Sequence, residues 1–112
     1  MKKHEPVTPG EILLEEFLKP MGLSQNRLAR EIGVSSRLIN EIVNGRRPIS
    51  AETDLRLCRF FGLSKGYWLR AQGAHDTEVA EGKLGPSLKK IKPWSEYAAQ
   101  QHVSVNTGAS RV

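Results

Sequence analysis

The sequence predicts an all-α fold of five short helices joined by tight turns. Apolar residues recur at helical spacing in successive segments, with helix-capping residues before each segment and glycines after it. No stretch shows the sustained two-residue alternation that is typical of a β-strand. The chain has 112 residues, of which 38% are hydrophobic, and this is enough for one domain with a buried core.

The first helix is predicted to begin in the sequence TPGE. Thr8 is suited to cap it, Pro9 to fill its first position, and Glu11 to complete a capping box. Lys19-Pro20 and Gly22 are expected to end it. Its apolar face is formed by Ile12, Leu13, Phe17 and Leu18.

The second and third helices are predicted on either side of one glycine. Ser24 is expected to cap the second helix, and Gly33 to end it in the left-handed conformation that glycine accepts. Ser35 or Ser36 caps the third helix, which ends at Asn44-Gly45. The buried side chains are expected to be Leu28, Ala29, Ile32, Leu38, Ile39, Ile42 and Val43.

The fourth and fifth helices follow the loop RRP. Ser50 caps the fourth, Gly62 closes it, and Ser64 starts the fifth. Their buried residues are expected to be Ala51, Leu55, Cys58, Phe61, Trp68 and Leu69. After Gly73 the helical signal weakens, and HDTEVAEGKLGPSLKKIKPW is expected either to extend the fifth helix or to add a short one.

Three regions follow from this pattern. Residues 1–7 are expected to form an N-terminal arm, residues 8–80 the helical domain, and residues 81–112 a C-terminal extension that is helical or irregular. The polar end NTGASRV is expected to be mobile or to lie on a neighbouring molecule.

Charge and cysteine content limit the possible partners and compartments. The formal net charge is +5 and the pI is about 9.7, which is compatible with nucleic acid, an acidic membrane surface or an acidic protein. A single cysteine, Cys58, excludes an intrachain disulfide. No long apolar run follows the basic N-terminus, so a soluble, cytoplasmic protein is expected.

The joint between the second and third helices indicates a function. Only the sequence GVS separates the two helices, with small Ala29 where they approach and Gly33 at the turn. Ile39 and Ile42 are placed to bury the third helix from behind. A helix held in this way presents its N-terminal residues outward, as a helix-turn-helix does when it enters a major groove.

The free face of the third helix carries side chains suited to reading bases. Arg37 has the fork that matches guanine O6 and N7, Asn40 is suited to adenine, and Glu41 to the amino group of cytosine. The predicted base-reading residues are Ser36, Arg37, Asn40 and Glu41.

Polar and basic residues around this face are suited to phosphate contacts. Helix N-terminal N–H groups and amides bind phosphates, and arginines neutralise them. The predicted phosphate-binding residues are Ser24, Gln25, Asn26, Arg27, Asn44, Arg46 and Arg47. Each feature alone also fits an ordinary solvated helix face, but their combination favours DNA binding.

These segments resemble a known family. LSQNRLAREIGVSSRLINEIVNGRRPIS resembles the helix-turn-helix of the phage-repressor (XRE-type) superfamily. PGEILLEEFLKPMGLSQ, INEIVNGRRPIS, LRLCRFFGLSKGYWLRAQ and HDTEVA are similar to the HigA antitoxins of HigBA toxin–antitoxin modules. The resemblance covers about residues 8–80 and implies a five-helix, phage-repressor-like domain.

The resemblance also implies a function. It implies a homodimer that binds an operator in its own promoter and neutralises a HigB toxin, a RelE-like ribonuclease that cuts messenger RNA on the ribosome. It places DNA contacts at Gln25, Ser36, Arg37, Asn40, Glu41 and Asn44. The sequence departs from the family pattern at Asp54 and Cys58, where small alanines are common, and at His75, where tyrosine is common.

Two alternatives remain open at this point. One is a stand-alone XRE-type repressor without a toxin, and the other is a protein-interaction domain that kept the shape without binding DNA. No cofactor, metal or catalytic activity is expected, because the three histidines lack ligand spacing and no nucleophile elbow is present. These histidines are His4, His75 and His102.

Several further residues have an ordinary interpretation and a functional one. Cys58 is expected in the core, with a redox switch as the alternative. Tyr67 and Trp68 are expected to pack in the core, with an interface as the alternative. The basic segment KLGPSLKKIKPW is expected to be a solvated helix end, or else an arm that binds toxin or flanking DNA.

Acidic residues are the expected toxin contacts, because a HigB-type toxin is usually basic. The candidates are Glu11, Glu15, Glu16, Glu52, Asp54, Asp76, Glu78 and Glu81.

Overall fold

The computed structural model describes residues 5–101, and the side chains of residues 5–98. All regular secondary structure in this range is helical, so the predicted all-α class is confirmed. Backbone contacts divide the chain into two units, residues 1–80 and residues 81–112. No helix within the described range has the length and apolar character needed to cross a membrane.

The first predicted helix is found as three consecutive segments. They are α1 (Pro9–Ile12), a π-helical segment (Leu13–Leu18) and α2 (Lys19–Met21). The Thr8–Glu11 capping box is present: Thr8 N–H donates to Glu11 Oε1 at 2.9 Å, and Glu11 N–H donates to Thr8 Oγ1 at 3.1 Å.

The helix continues through Pro20, which differs from the expected stop there. In the π-helical segment Lys19 N–H donates to the Leu14 carbonyl, five residues earlier. This wider turn relieves the clash that a proline ring makes with the preceding turn of an α-helix. The helix ends at Gly22, whose φ of 61° is left-handed.

The two central helices are α3 (Gln25–Ile32) and α4 (Ser36–Val43). Ser24 Oγ accepts the Arg27 N–H at 3.0 Å, and this confirms the predicted cap of α3. Ser35 Oγ accepts the Leu38 N–H at 3.0 Å, so Ser35 is the cap of α4 and Ser36 is its first residue. Gly33 ends α3 with a φ of 74°.

Two longer helices follow, α5 (Ala51–Phe61) and α6 (Tyr67–Leu84). Ser50 caps α5 and Gly62 ends it, as predicted. The fifth helix begins at Tyr67 and not at Ser64, because residues 65 and 66 form a turn.

After Gly73 the fifth predicted helix continues, which was one of the two expected alternatives, and shorter helices follow it. Helix α6 continues to Leu84, a 3₁₀ helix follows at Gly85–Lys90, and α7 spans Trp94–Gln101.

The core of the first unit is apolar and uses the predicted faces of the first three helices. On α5 the buried face differs from the prediction. Ala51 and Leu55 are exposed, and Leu55 keeps 52% of its surface. On α6 Trp68 is fully buried whereas Leu69 is exposed. The buried apolar residues are Leu13, Leu18, Leu28, Ala29, Ile32, Ile39, Ile42, Ile49, Leu57, Cys58 and Trp68.

The burial of Asp54 explains why α5 packs on the core with a face that differs from the predicted one. Its carboxylate accepts backbone N–H groups from Gly66 at 2.7 Å, Trp68 at 2.8 Å and Leu69 at 3.3 Å. It thereby satisfies N–H groups at the start of α6 that have no partner within the helix. Asp54 is only 1% exposed, so its assignment as a toxin-facing acid was wrong.

Cys58 lies in the core beside this carboxylate. It is 3% exposed, and its Sγ donates to Asp54 Oδ1 at 3.5 Å and contacts the Ser64 carbonyl at 3.3 Å. The core prediction for Cys58 is confirmed.

An aromatic cluster joins the first, fourth and fifth predicted helices. The Phe17 ring centroid lies 4.7 Å from that of Phe61 and 5.2 Å from that of Trp68. Tyr67 and Trp68 are 5.0 Å apart in an edge-on arrangement. The core packing predicted for Trp68 is confirmed, and Tyr67 packs against the core while remaining partly exposed.

Candidate nucleic-acid interface

Helix α4 is held against the core by its apolar face. Ile39 is 0% and Ile42 1% exposed. After the left-handed turn at Gly33, Val34 N–H donates to the Ala29 carbonyl at 3.0 Å and closes the joint between α3 and α4. The relative position of the two helices is therefore fixed by burial on one side and by backbone bonds at the turn.

Gly10 lets the backbone of α1 contact the C-terminal end of α4. A Cβ atom at Gly10 would lie 1.8 Å from the Ile42 carbonyl oxygen, which is far inside contact distance. Only glycine allows this approach without a backbone shift. This role is not predictable from the sequence, because Gly10 after Pro9 indicates only the start of a helix.

Arg56 anchors the end of α3 from α5. Its Nη1 donates to the Ile32 carbonyl at 2.7 Å, while its Nη2 lies 3.1 Å from Glu52 Oε2. A cationic side chain at a helix C-terminus satisfies an unpaired carbonyl and complements the helix dipole. The spacing of Glu52 and Arg56, four residues apart, indicates their ion pair but not the contact with Ile32.

The opposite face of α4 presents the predicted base-reading residues. Ser36, Arg37 and Asn40 are exposed, and 85% of the Arg37 side chain is accessible. The Glu41 side chain is less accessible, at 20%. The structure therefore places these four residues on one helix, turned away from the core.

A chain of amides crosses from α3 to α4. Asn40 Nδ2 donates to Gln25 Oε1 at 3.2 Å. Asn44 Nδ2 donates to Asn40 Oδ1 at 3.1 Å and to the Asn40 carbonyl at 2.9 Å. Asn40 is held from both sides, which orients its amide before any ligand arrives.

Glu41 joins two arginines of the interface. Arg37 Nε donates to Glu41 Oε2 at 3.0 Å, and Arg47 Nε donates to Glu41 Oε1 at 2.8 Å. The hydrogen bonds from Arg47 and then Arg37 lower the pKa of the Glu41 carboxyl below its ordinary value. Glu41 stays ionised at neutral pH and holds both guanidinium groups beside α4.

The other predicted phosphate-binding residues lie on α3 and in the loop after α4. Ser24 Oγ is engaged in capping α3. Arg27 Nε lies 2.7 Å from Glu31 Oε2, while Asn26 and Arg46 are exposed. Residues 24–47 contain five arginines and two acidic residues, so the region as a whole is basic.

Comparison with known proteins identifies the family of this fold. The helix-turn-helix family model, HTH_3, matches residues 14–68. Virulence-associated protein I of Dichelobacter nodosus is 53% identical over 75 residues, which cover 67% of this chain and 69% of that protein. Antitoxin HigA-1 of Vibrio cholerae is 32% identical over 91 residues, which cover 81% of this chain and 86% of that protein.

A solved relative agrees with the sequence matches. The Pseudomonas aeruginosa antitoxin HigA, solved with the higBA promoter, superposes with a TM-score of 0.73 at 37% identity. The superposition covers 79% of this chain and 97% of that one. The family comprises DNA-binding regulators and not enzymes. This chain therefore belongs to the HigA family of helix-turn-helix antitoxins.

Proposed function

We propose that this chain binds operator DNA as a homodimer, represses its own operon and neutralises a HigB-type toxin that cleaves messenger RNA. One observation supports the DNA-binding part: the exposed polar face of α4 is held on the core by Ile39 and Ile42, in a chain whose solved relative HigA was determined with the higBA promoter. The toxin-binding part rests on membership of the family.

Base reading is assigned to α4. Arg37 is mostly exposed and donates to Glu41 only through Nε, so its terminal nitrogens are available for guanine O6 and N7. Asn40 pairs with adenine, and Ser36 contacts either type of base. Glu41 accepts from a cytosine amino group when one of its two arginines moves to the DNA.

Phosphate contacts are assigned to residues that surround the reading face. They position the helix and add affinity that does not depend on sequence. These residues are Ser24, Gln25, Asn26, Arg27, Asn44, Arg46 and Arg47.

A homodimer contacts an operator that consists of two half-sites. One α4 helix covers one half-site, and a two-fold dimer places two such helices about 34 Å apart in successive major grooves. The operator is then a pseudo-palindrome that matches the symmetry of the protein.

The toxin-facing surface is assigned to acids that remain accessible. Asp54 is removed from the candidates because its carboxylate is buried. The remaining candidates, all exposed, are Glu11, Glu15, Glu16, Glu52, Asp76, Glu78 and Glu81.

A gel shift on the DNA upstream of the chain's own gene tests the DNA-binding part. We expect a shift at low salt that weakens steeply as salt increases, since each phosphate contact releases counterions. A DNA fragment with the same composition and a scrambled operator is the control. Absence of a shift at low salt would contradict the proposal and favour the protein-interaction alternative.

Co-expression with the product of the neighbouring gene tests the toxin-binding part. A tagged chain is expected to capture that product and to relieve its toxicity in cells. A specific operator shift without any captured toxin would instead support the stand-alone XRE-type repressor.

A further inference from the structure

The positive charge of this protein is not confined to the helix-turn-helix. Residues 1–80 contain twelve Lys and Arg residues against ten Asp and Glu residues. Residues 81–112 contain five against two. The C-terminal extension therefore carries +3 of the net charge of +5 in less than a third of the chain.

Three of these charges lie close together in the lysine segment, which we define as residues 89–97. Lys89 and Lys90 end the 3₁₀ helix, and Lys92 follows two residues later. All three side chains are exposed. Within residues 5–101 none of the three forms an ion pair with a carboxylate. Unpaired, closely spaced ammonium groups create a positive potential that attracts a polyanion.

Aromatic side chains lie beside these lysines. The rings of Trp94 and Tyr97 are stacked with their centroids 6.4 Å apart, and Lys92 Nζ lies 5.6 Å from the Tyr97 centroid. Trp94 is 61% and Ile91 69% exposed. Large exposed apolar side chains among lysines are typical of a contact surface and not of an inert tail.

We propose that the lysine segment binds the phosphate backbone of DNA beside the operator, as a second contact that does not depend on sequence. This inference rests on the proposed operator binding. Charge complementarity favours DNA, which carries one negative charge per about 1.7 Å of helix axis. A HigB-type toxin, which we expect to be basic, would instead be repelled by the lysines.

A covalently attached second contact increases affinity without reading any base. Once α4 is on the operator, the lysine segment meets flanking DNA at an effective concentration of about millimolar. The contact then increases both the affinity and its salt dependence, while base preference stays with α4.

Two full-length variants and two duplexes test this inference. Lys89→Gln/Lys90→Gln/Lys92→Gln removes the charges, whereas Lys89→Arg/Lys90→Arg/Lys92→Arg keeps them as the matched control. Each is titrated with the bare operator and with the operator extended by flanking DNA on both sides. We expect the wild-type chain to bind the extended duplex at least about tenfold more tightly.

The glutamine variant is expected to lose this preference and to reduce the salt slope by about 2–3 per protomer of the dimer, because each lost phosphate contact lowers it by about 0.9. The arginine variant is expected to retain both the preference and the slope.

Tryptophan fluorescence gives a second readout that does not depend on affinity. Iodide quenches Trp94, which is exposed, and does not reach Trp68, which is fully buried. We expect the extended duplex to protect Trp94 from iodide and the bare operator to protect it much less. Trp94→Phe is expected to remove the iodide-sensitive signal, because the remaining Trp68 is fully buried.

The outcomes separate this inference from the proposed function. If the wild-type chain binds neither duplex, operator binding itself is wrong. If it binds the operator but the glutamine variant shows the same salt slope and length preference, the lysine segment does not contact DNA. Protection of Trp94 by a captured toxin and not by extended DNA would also overturn the inference.

Discussion

Helix α4 with its flanking arginines and the lysine segment both present cationic side chains, yet they are built differently. On α4 the charged and amide side chains are held: Glu41 bridges two arginines, and Asn40 bonds to residues on both sides. The lysines at residues 89, 90 and 92 form no ion pair among the described residues.

This difference shows that net charge alone does not identify the surface that reads bases. Reading bases requires side chains held at fixed positions relative to base edges, and arginine and amide groups supply that geometry. Neutralising phosphates requires only charge at the right distance, and mobile lysines suffice for it. The lysine segment is therefore expected to contribute affinity, and α4 specificity.

The largest effect is expected from a substitution that destabilises the domain on which α4 is held. Asp54→Ala leaves the N–H groups of Gly66, Trp68 and Leu69 without their acceptor in a buried place. We expect the free energy of unfolding to fall by about 4 kcal/mol, measured by urea denaturation. Glu52→Ala, at an exposed ion pair on the same helix, is the control and is expected to cost below about 1 kcal/mol. Equal effects would show that Asp54 does not cap α6.

The next largest effect is expected from disrupting the contact between α1 and α4. Gly10→Ala places a Cβ against the Ile42 carbonyl, so the backbone has to shift. We expect a loss of about 3 kcal/mol in the free energy of unfolding, together with weaker operator binding. Gly73→Ala has no atom within 4 Å of the new Cβ and is the control. It is expected to stabilise α6 by up to about 1 kcal/mol.

The reading face itself is tested by Arg37→Ala. Loss of a bidentate guanine contact is expected to reduce operator affinity by about 1–3 kcal/mol per half-site. Fluorescence anisotropy with a labelled operator measures the loss, and urea denaturation checks that stability is kept. Affinity equal to that of the wild-type chain would remove Arg37 from the base-reading residues.

A phosphate contact beside α4 gives a smaller and more uniform effect. Arg46→Ala is expected to weaken binding to all sequences alike and to lower the salt slope by about one per protomer. Lys65→Ala, which changes an exposed cation between α5 and α6, is the control and is expected to leave the slope unchanged. A loss confined to one base pair would show that Arg46 reads sequence.

The smallest effect concerns the charge of Glu41. Its folded-state pKa lies below the ordinary value of 4.5, so the ionised carboxylate stabilises the folded chain above about pH 4.5. That contribution is lost as pH falls through the lowered pKa. The stability difference between the wild-type chain and Glu41→Gln is expected to be constant from pH 7 to 5 and to shrink below that. A difference that shrinks already between pH 7 and 5 would contradict the assignment.

Local signals in the sequence predicted most of the fold. Ser24 and Ser50 cap their helices and Gly33 and Gly62 end theirs, because capping depends on residues three or four positions apart. The outward face of α4 followed from the same local spacing, so Ser36, Arg37 and Asn40 were found exposed as expected.

Contacts between distant residues were not predictable in this way. Asp54 was expected to face a basic toxin because of its charge, whereas its carboxylate binds backbone N–H groups that lie twelve to fifteen residues later. Leu55 was expected in the core but is exposed, because burying Asp54 turns the neighbouring residue of α5 toward solvent. Gly10 and Arg56 act through Ile42 and Ile32, and no spacing along the chain indicates those pairs.

A binding-site selection tests the central claim most directly, namely that α4 supplies specificity and the lysine segment supplies affinity. The selection is run with the wild-type chain, with Arg37→Ala and with Lys89→Gln/Lys90→Gln/Lys92→Gln. We expect Arg37→Ala to lose the preference at one base pair in each half-site, and the lysine variant to select the wild-type operator with lower affinity. An unchanged preference in Arg37→Ala, or an altered preference in the lysine variant, would contradict the account.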